Sequence, residues 1–162
     1  MNKRPKPPTP HAGMSPQDKG ELLVEYVRAY LPVARRLNPP PAHPDQDPWV
    51  RLDFSGAEIV GVHLAGARLA GANLAGANLV GARLDGVNLE GADLTEADLS
   101  RASLVGARLS GACLQEASLD NTDLTDADLR GALLKHTYFR ANATQGTRFD
   151  PGEGPDRERG VV

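Results

Sequence analysis

The large apolar residues of this chain recur neither every second position nor every three or four, but every fifth. From Phe54 onward each fifth residue is large and apolar: Phe54, Ile59, fifteen leucines from Leu64 to Leu134, then Phe139, eighteen positions without a miss. Two residues before each lies a small or β-branched residue, Ala in thirteen cases and otherwise Leu52, Val62, Val87, Thr122 or Thr137. Two residues after each, Gly stands in eleven of the eighteen positions. On an α-helix five residues advance about 500°, so successive leucines would spread around the cylinder. On a straight strand every second leucine would face water. The period is satisfied only if the chain turns a corner of about 90° in each unit and closes a square coil every four units. The leucines then meet on one axis, the Ala positions fill the space beside them, and Gly serves the corner. Stacked coils pair their backbone groups with the layers above and below, about 4.8 Å away.

Outside the repeats the signals change. Residues 1–14 hold five prolines and little to bury, which predicts a disordered Pro-rich leader. Ser15-Pro16-Gln17-Asp18 reads as a helix start: Ser15 as N-cap, Pro16 at the first helical position, Asp18 in the first turn. Leu23, Val27, Tyr30, Leu31, Ala34 and Leu37 follow at helical spacing, predicting an amphipathic helix over 15–37 that ends or kinks at Pro32. Residues 38–50 are a Pro-rich linker, 51–150 the coiled body, and 151–162 a disordered tail. The helix, helped by Trp49, is the expected cap on the first coil, whose edge would otherwise be bare.

Composition narrows the chemistry. The chain is 40% hydrophobic but only 4% aromatic, so its core must consist of many small similar contacts. A net charge of −3 argues for neither nucleic acid nor membrane as a partner. The lone Cys113 excludes an internal disulfide and fits a reducing cytoplasm. No secretory signal or bilayer-spanning run is legible, so a cytoplasmic location is expected.

Units such as Ala72-Asn73-Leu74-Ala75-Gly76, Ala92-Asp93-Leu94-Thr95-Glu96 and Ala127-Asp128-Leu129-Arg130-Gly131 carry a family resemblance. They resemble the A(D/N)LXX motif of pentapeptide-repeat proteins over roughly residues 52–149. The resemblance implies an all-β solenoid, a right-handed quadrilateral parallel β-helix, with Leu and Ala inward and the other three positions outward. Eighteen units give about 4.5 coils, extendable to five through Thr147 and Phe149, although Asn142 and Thr144 break the pattern. For function the resemblance implies little, because one fold hosts many roles.

With four units per coil, residues twenty apart stack on one wall. Arg68, Asn88, Arg108, Asp128 and Arg148 form one column, and Ala70, Glu90, Ser110, Arg130 and Asp150 its neighbour, predicting exposed ion pairs. Early outward positions are apolar (Val60, Ala65, Ala70, Ala75, Val80) and could offer a flat docking surface. An acidic belt follows: Asp85, Glu90, Asp93, Glu96, Asp98, Glu116, Asp120, Asp123, Asp126 and Asp128, opposed only by Arg101 and Arg108. These acids fall on all four walls. The quinolone-resistance relatives implied by the resemblance are DNA mimics that bind type II topoisomerases.

The four histidines, His11, His43, His63 and His136, are far apart, and no nucleotide, hydrolase or metalloprotease motif occurs. Cys113 and His136 share a wall but lie a coil and three residues apart, too far for a nucleophile–base pair. No catalytic, metal or cofactor-binding residue is therefore assigned, and no cofactor is expected. The expected function is that of a non-enzymatic protein-interaction or scaffold module with an unidentified protein partner. Its binding residues would come from the acidic belt, from Val60 and Val80 on the wall, or from Leu23, Val27 and Tyr30 on the helix. The alternative is a DNA-mimicking protein that binds DNA gyrase and confers resistance to a gyrase poison. Any self-association is expected to be an isologous homodimer.

Overall fold

The structure, a computed structural model, describes residues 13–34, 53–140 and 142–152, the side chains of 26–34 excepted. The leader up to residue 12, the linker with Trp49, and the tail from 153 on lie outside the described residues, as does Leu52.

Residues 53–140 and 142–150 form the expected square coil. Sixteen parallel single-residue bridges each join a residue to the one twenty further on, from Asp53↔Asn73 to Asp128↔Arg148. They define four walls. The first carries Asp53, Asn73, Asp93, Cys113 and Leu133; the second Glu58, Asn78, Asp98, Ser118 and Tyr138. The third carries His63, Arg83, Ser103, Asp123 and Ala143; the fourth Arg68, Asn88, Arg108, Asp128 and Arg148. Because a corner interrupts every fifth residue, pairing never extends into a run, and each wall is a ladder of isolated rungs. The inward leucines from Leu64 to Leu134 are all buried, as are Phe54, Ile59 and Phe139. The Ala positions between them fill one continuous core.

One unit shows why the motif has its letters. Ala97 N–H bonds the Leu94 carbonyl at 3.0 Å and closes the corner. Asp93 N–H reaches up to Ala72 O at 2.9 Å, while Leu94 N–H and Glu96 N–H reach down to Cys113 O and Gln115 O. Four of the five backbone donors are thus paired by backbone. The fifth, Thr95 N–H, is taken by the Asp93 carboxylate at 3.0 Å. The same side-chain bond recurs from Asp53, Asn73, Asn78, Asn88, Asp98, Asp123 and Asp128. Asp or Asn is favoured there because it satisfies the one donor that the ladder leaves over.

Every described corner has positive φ two residues after the large apolar residue, between 57° at Asn121 and 72° at Gly146. The need for Gly is conformational rather than steric: a Cβ at Gly76 or Gly91 would meet nothing within 4 Å.

Helix α1 spans Pro16–Ala34. Ser15 and Asp18 cap each other: Asp18 N–H donates to Ser15 Oγ at 3.1 Å, and Ser15 N–H to Asp18 Oδ2 at 3.3 Å. The expected end or kink at Pro32 is corrected in extent, since helix continues two residues past it. Pro32 removes one backbone donor without ending the described helix. The described helix reaches Ala34, and residues 35–37 of the expected span lie outside the described residues. Its first half lies against the first coil. Glu58 N–H donates to Pro16 O at 2.9 Å, and Lys19 Nζ to Ser55 O at 2.8 Å. Leu23 is fully buried in the common core. Gly20 permits the approach, because a Cβ there would sit 2.1 Å from Glu58 O.

The last layer is altered. Bridges continue to Ala143 and Arg148, so a fifth layer exists. Polar residues there donate to leucine carbonyls: Thr137 Oγ1 to Leu114 O at 2.7 Å, Asn142 Nδ2 to Leu119 O at 2.6 Å, Thr147 Oγ1 to Leu124 O at 2.7 Å. Thr122 Oγ1 does the same to Leu99 O. Each carbonyl already serves a corner and offers its second lone pair. Phe139 and Phe149 meet edge to face, ring centres 6.4 Å apart, across the lower end of the core.

Candidate functional site

The square coil turns each unit's last two positions and its Asp/Asn position outward, so any site on it is a surface of columns. The column expected from Arg68 to Arg148 is the fourth wall. Arg108 pairs with Glu90 at 2.6 Å and Arg130 with Asp128 at 2.6 Å, with Arg148 at 3.9 Å from the same carboxylate. Hydrogen bonding from Arg130 holds Asp128 at a pKa of about 2. Asp123 and Asp53 are also lowered, by the side chains and then the N–H groups of Thr125 and Ser55. On the first two walls acids meet amides instead: Asn73 Nδ2 donates to Asp53 Oδ1 at 3.1 Å, and Asn78 Nδ2 to Glu58 Oε2 at 2.9 Å.

The ten belt acids do fall on all four walls, yet they are not equivalent. Glu90 and Asp128 are neutralised by arginines, Asp85 accepts from Ser103 Oγ, and Asp123 and Asp126 lie on the side of the coil that carries Arg83, Arg101 and Arg108. Asp93 and Asp98 stand on the first and second walls, Glu96 and Glu116 are exposed on the corner between them, and Asp120 lies in the turn from the second wall to the third, beside Arg101 of the layer above. Over the whole coil these two walls and the corner between them bear Asp53, Glu58, Asp93, Glu96, Asp98 and Glu116 against Lys135 in the last coil, and the second–third corner carries Asp120 with Arg101 and Arg140. The third and fourth walls with their remaining corners set six acids against Arg68, Arg83, Arg108, Arg130 and Arg148. The net negative charge of the coil therefore lies along one edge. Sequence counting missed this, because the imbalance arises from where the arginines sit rather than from where the acids do.

The apolar outward positions do not make the expected flat surface. Val60 and Val80 share the second wall, but Ala65, Ala70 and Ala75 fall on the third, fourth and first, encircling the first coil. Val60, 60% exposed, lines an open groove of about 1120 Å³ between α1 and the first coil, together with Gly20, Val24, Ile59 and Val62. Glu21, Glu25 and Glu58 stand at its sides. Of the helix candidates, Leu23 is core, while the side chains of Val27 and Tyr30 lie outside the described residues. Leu133 and Tyr138 are exposed at the foot of the first and second walls.

Cys113 contacts Thr95 rather than a histidine: its Sγ is 3.1 Å from Thr95 Oγ1, which bonds Asp93 Oδ1 at 2.7 Å. His63 is on the third wall and His136 on the first–second corner. Among the described residues no three His, Cys, Asp or Glu side chains converge as metal ligands. No described helix is long and apolar enough to cross a membrane.

These features define a convex five-residue-repeat solenoid with a packed axis and charged walls. The model for pentapeptide repeats matches residues 50–86, 63–101, 82–121 and 102–140, more than half of the chain, which belongs to the pentapeptide repeat family. Proteins of this family are right-handed β-helices and in general structural or interaction modules. Among solved structures, a pentapeptide repeat protein from Nostoc Pcc 7120 is 33% identical over 62% of this chain and 86% of its own, with a TM-score of 0.46. A pentapeptide repeat protein from the Arabidopsis thaliana thylakoid lumen is 34% identical over 66% of this chain and 68% of its own, TM-score 0.29. QnrB1, a plasmid-mediated fluoroquinolone resistance protein, is 22% identical over 63% of this chain and 61% of its own, TM-score 0.31. No curated protein matches the chain.

Proposed function

We propose that the chain is a non-enzymatic protein-interaction module whose docking surface is the acidic edge formed by the first and second walls and their corner. The carrying observation is the segregation of charge: Asp93, Glu96, Asp98 and Glu116 stand together on that edge with Asp120 at its border, while of the arginines of the same layers Arg101 stands beside Asp120 on the second–third corner and Arg108 and Arg130 stand on the far side. A rigid wall presents such charges without ordering cost, which favours a partner with a basic face. Helix α1 acts as the cap of the first coil, a reading supported by its bonds to Glu58 and Ser55 and by the burial of Leu23. The unpaired Cys113 favours a cytoplasmic setting. Replacing Glu96, Asp98, Glu116 and Asp120 by their amides should abolish salt-sensitive capture of the partner, whereas Arg68→Gln on the fourth wall should leave it intact. Equal losses from both changes would sink the reading.

One observation favours a second reading. Two layers span about 10 Å, in which duplex DNA carries about six charges. The four acids of the edge, with Asp120 at its border, approach that density, so a topoisomerase such as DNA gyrase is the alternative partner, with DNA as the competitor. Supercoiling by purified gyrase should then be inhibited by the chain, and drug-induced cleavage reduced. If neither occurs at a stoichiometric excess, gyrase is removed as the partner while a basic protein partner stands.

A further inference from the structure

We infer that the coil opens from its C-terminal end, the layers below about Glu96 detaching in steps while α1 and the first two coils stay closed. Three independent features grade the molecule in this direction.

The corners are the first. All eight from Gly56 to Gly91 are glycine. Beyond them Glu96, Arg101, Glu116, Asn121, Asp126 and His136 hold φ between 57° and 61°, where a side chain is strained. The strain is thus confined to the lower layers. Asn and Asp tolerate this conformation better, so Glu96, Arg101, Glu116 and His136 carry most of it.

The core is the second. From Phe54 to Leu129 every inward position is buried, whereas Ala132, Asn142, Thr144, Thr147 and Phe149 are only half-buried. Asn142 Oδ1 is buried without a partner. Thr144 stands where the layers above have leucine.

The ends are the third. The first coil is held by α1 through Glu58 N–H, Ser55 O and buried Leu23. In a solenoid each layer contacts only its neighbours, so the weaker end frays without dragging the rest along. This inference does not depend on the identity of any partner.

Hydrogen exchange read by mass spectrometry on the full chain tests it. Amides of residues 115–140 should exchange about tenfold or more faster than those of residues 57–91, a difference of about 1.4 kcal/mol in opening. Replacing Glu116 and His136 together by Gly should slow exchange below residue 115 by about fivefold or more and leave residues 57–91 unchanged. Uniform protection, faster exchange in the first coils, or a gradient unmoved by the glycine replacements would each overturn the inference. If the double replacement fails to fold, the gradient in the unaltered chain still decides.

Discussion

At each corner the backbone conformation is dictated before any contact is made. Gly76 has φ 65° and open space where a side chain would begin, so its glycine is there for the dihedral alone. Gly76→Val adds a β-branched side chain in that conformation, its Cβ meeting nothing within 4 Å. It should cost about 1–2 kcal/mol, read as a lower urea midpoint with unchanged slope. The Asp/Asn position has the complementary role of taking the spare N–H, and its consequence is a pH dependence. Asp128, with a pKa near 2, and Asp123 and Asp53, also lowered, bind protons less readily in the folded state than in the unfolded. Their contribution is therefore complete above pH ~4, the ordinary carboxylate value, and is lost as the pH falls toward about 2. Unfolding midpoints should be flat between pH ~7 and ~5 and fall below pH ~4; a midpoint rising on acidification would contradict the bonding. Asp53 is exposed and Asp123 and Asp128 are half-buried at the surface of the coil, so the fall should be modest.

Elements were legible to different degrees, for reasons that specific residues make plain. The coil could be read because its period excludes helix and strand alike, and the columns followed from counting twenty residues. Ser15, Pro16 and Asp18 announced the start of α1, since capping is local in sequence. Its course at Pro32 was harder: the missing donor and the ring can end a helix or only weaken it locally, and the described helix runs two residues further, to Ala34. The docking of α1 was only half visible. Leu23 was expected on an apolar face, yet Gly20 gave no signal, because its need comes from Glu58 O, thirty-eight residues away in sequence. The charged edge was hidden for a related reason, as it depends on the wall assigned to each arginine. Gly20→Val tests the docking. Val should force α1 off the first coil by collision with Glu58 O while leaving the helix its cap. The expected loss is about 1–3 kcal/mol, with faster proteolysis near Lys19 and unchanged protection in the coil beyond residue 95. A structure with the helix still seated would contradict it.

At the scale of the whole molecule, the leucine axis makes every layer depend on the next. Leu99 is fully buried, and by the twenty-residue repeat it stands between Leu79 above and Leu119 below. Removing atoms there and placing a charge there are different insults. Leu99→Ala leaves a cavity and should cost about 2–5 kcal/mol, which a coil of this depth survives with a lower midpoint. Leu99→Asp places a carboxylate among leucines and alanines, where Arg101 and Arg108 of the same layer face outward and walls of backbone stand between the group and water. The burial cost exceeds what the layer can return, so the chain must protonate the group or break the stack. Breaking is favoured near neutral pH, and nearest-neighbour coupling decides the outcome: both adjoining layers lose their packing face, severing the lower coils from those held by α1. The expected result is loss of the native circular-dichroism spectrum and an enlarged hydrodynamic radius at pH ~7. Partial recovery should follow at pH ~5, where a buried carboxyl with a raised pKa is neutral. Asp98→Leu, one residue away but outward on the second wall, should keep the spectrum and lose only the bond to Ser100 N–H. The opposite ranking of these two neighbours would mean that the leucines face solvent, and the square coil could not stand.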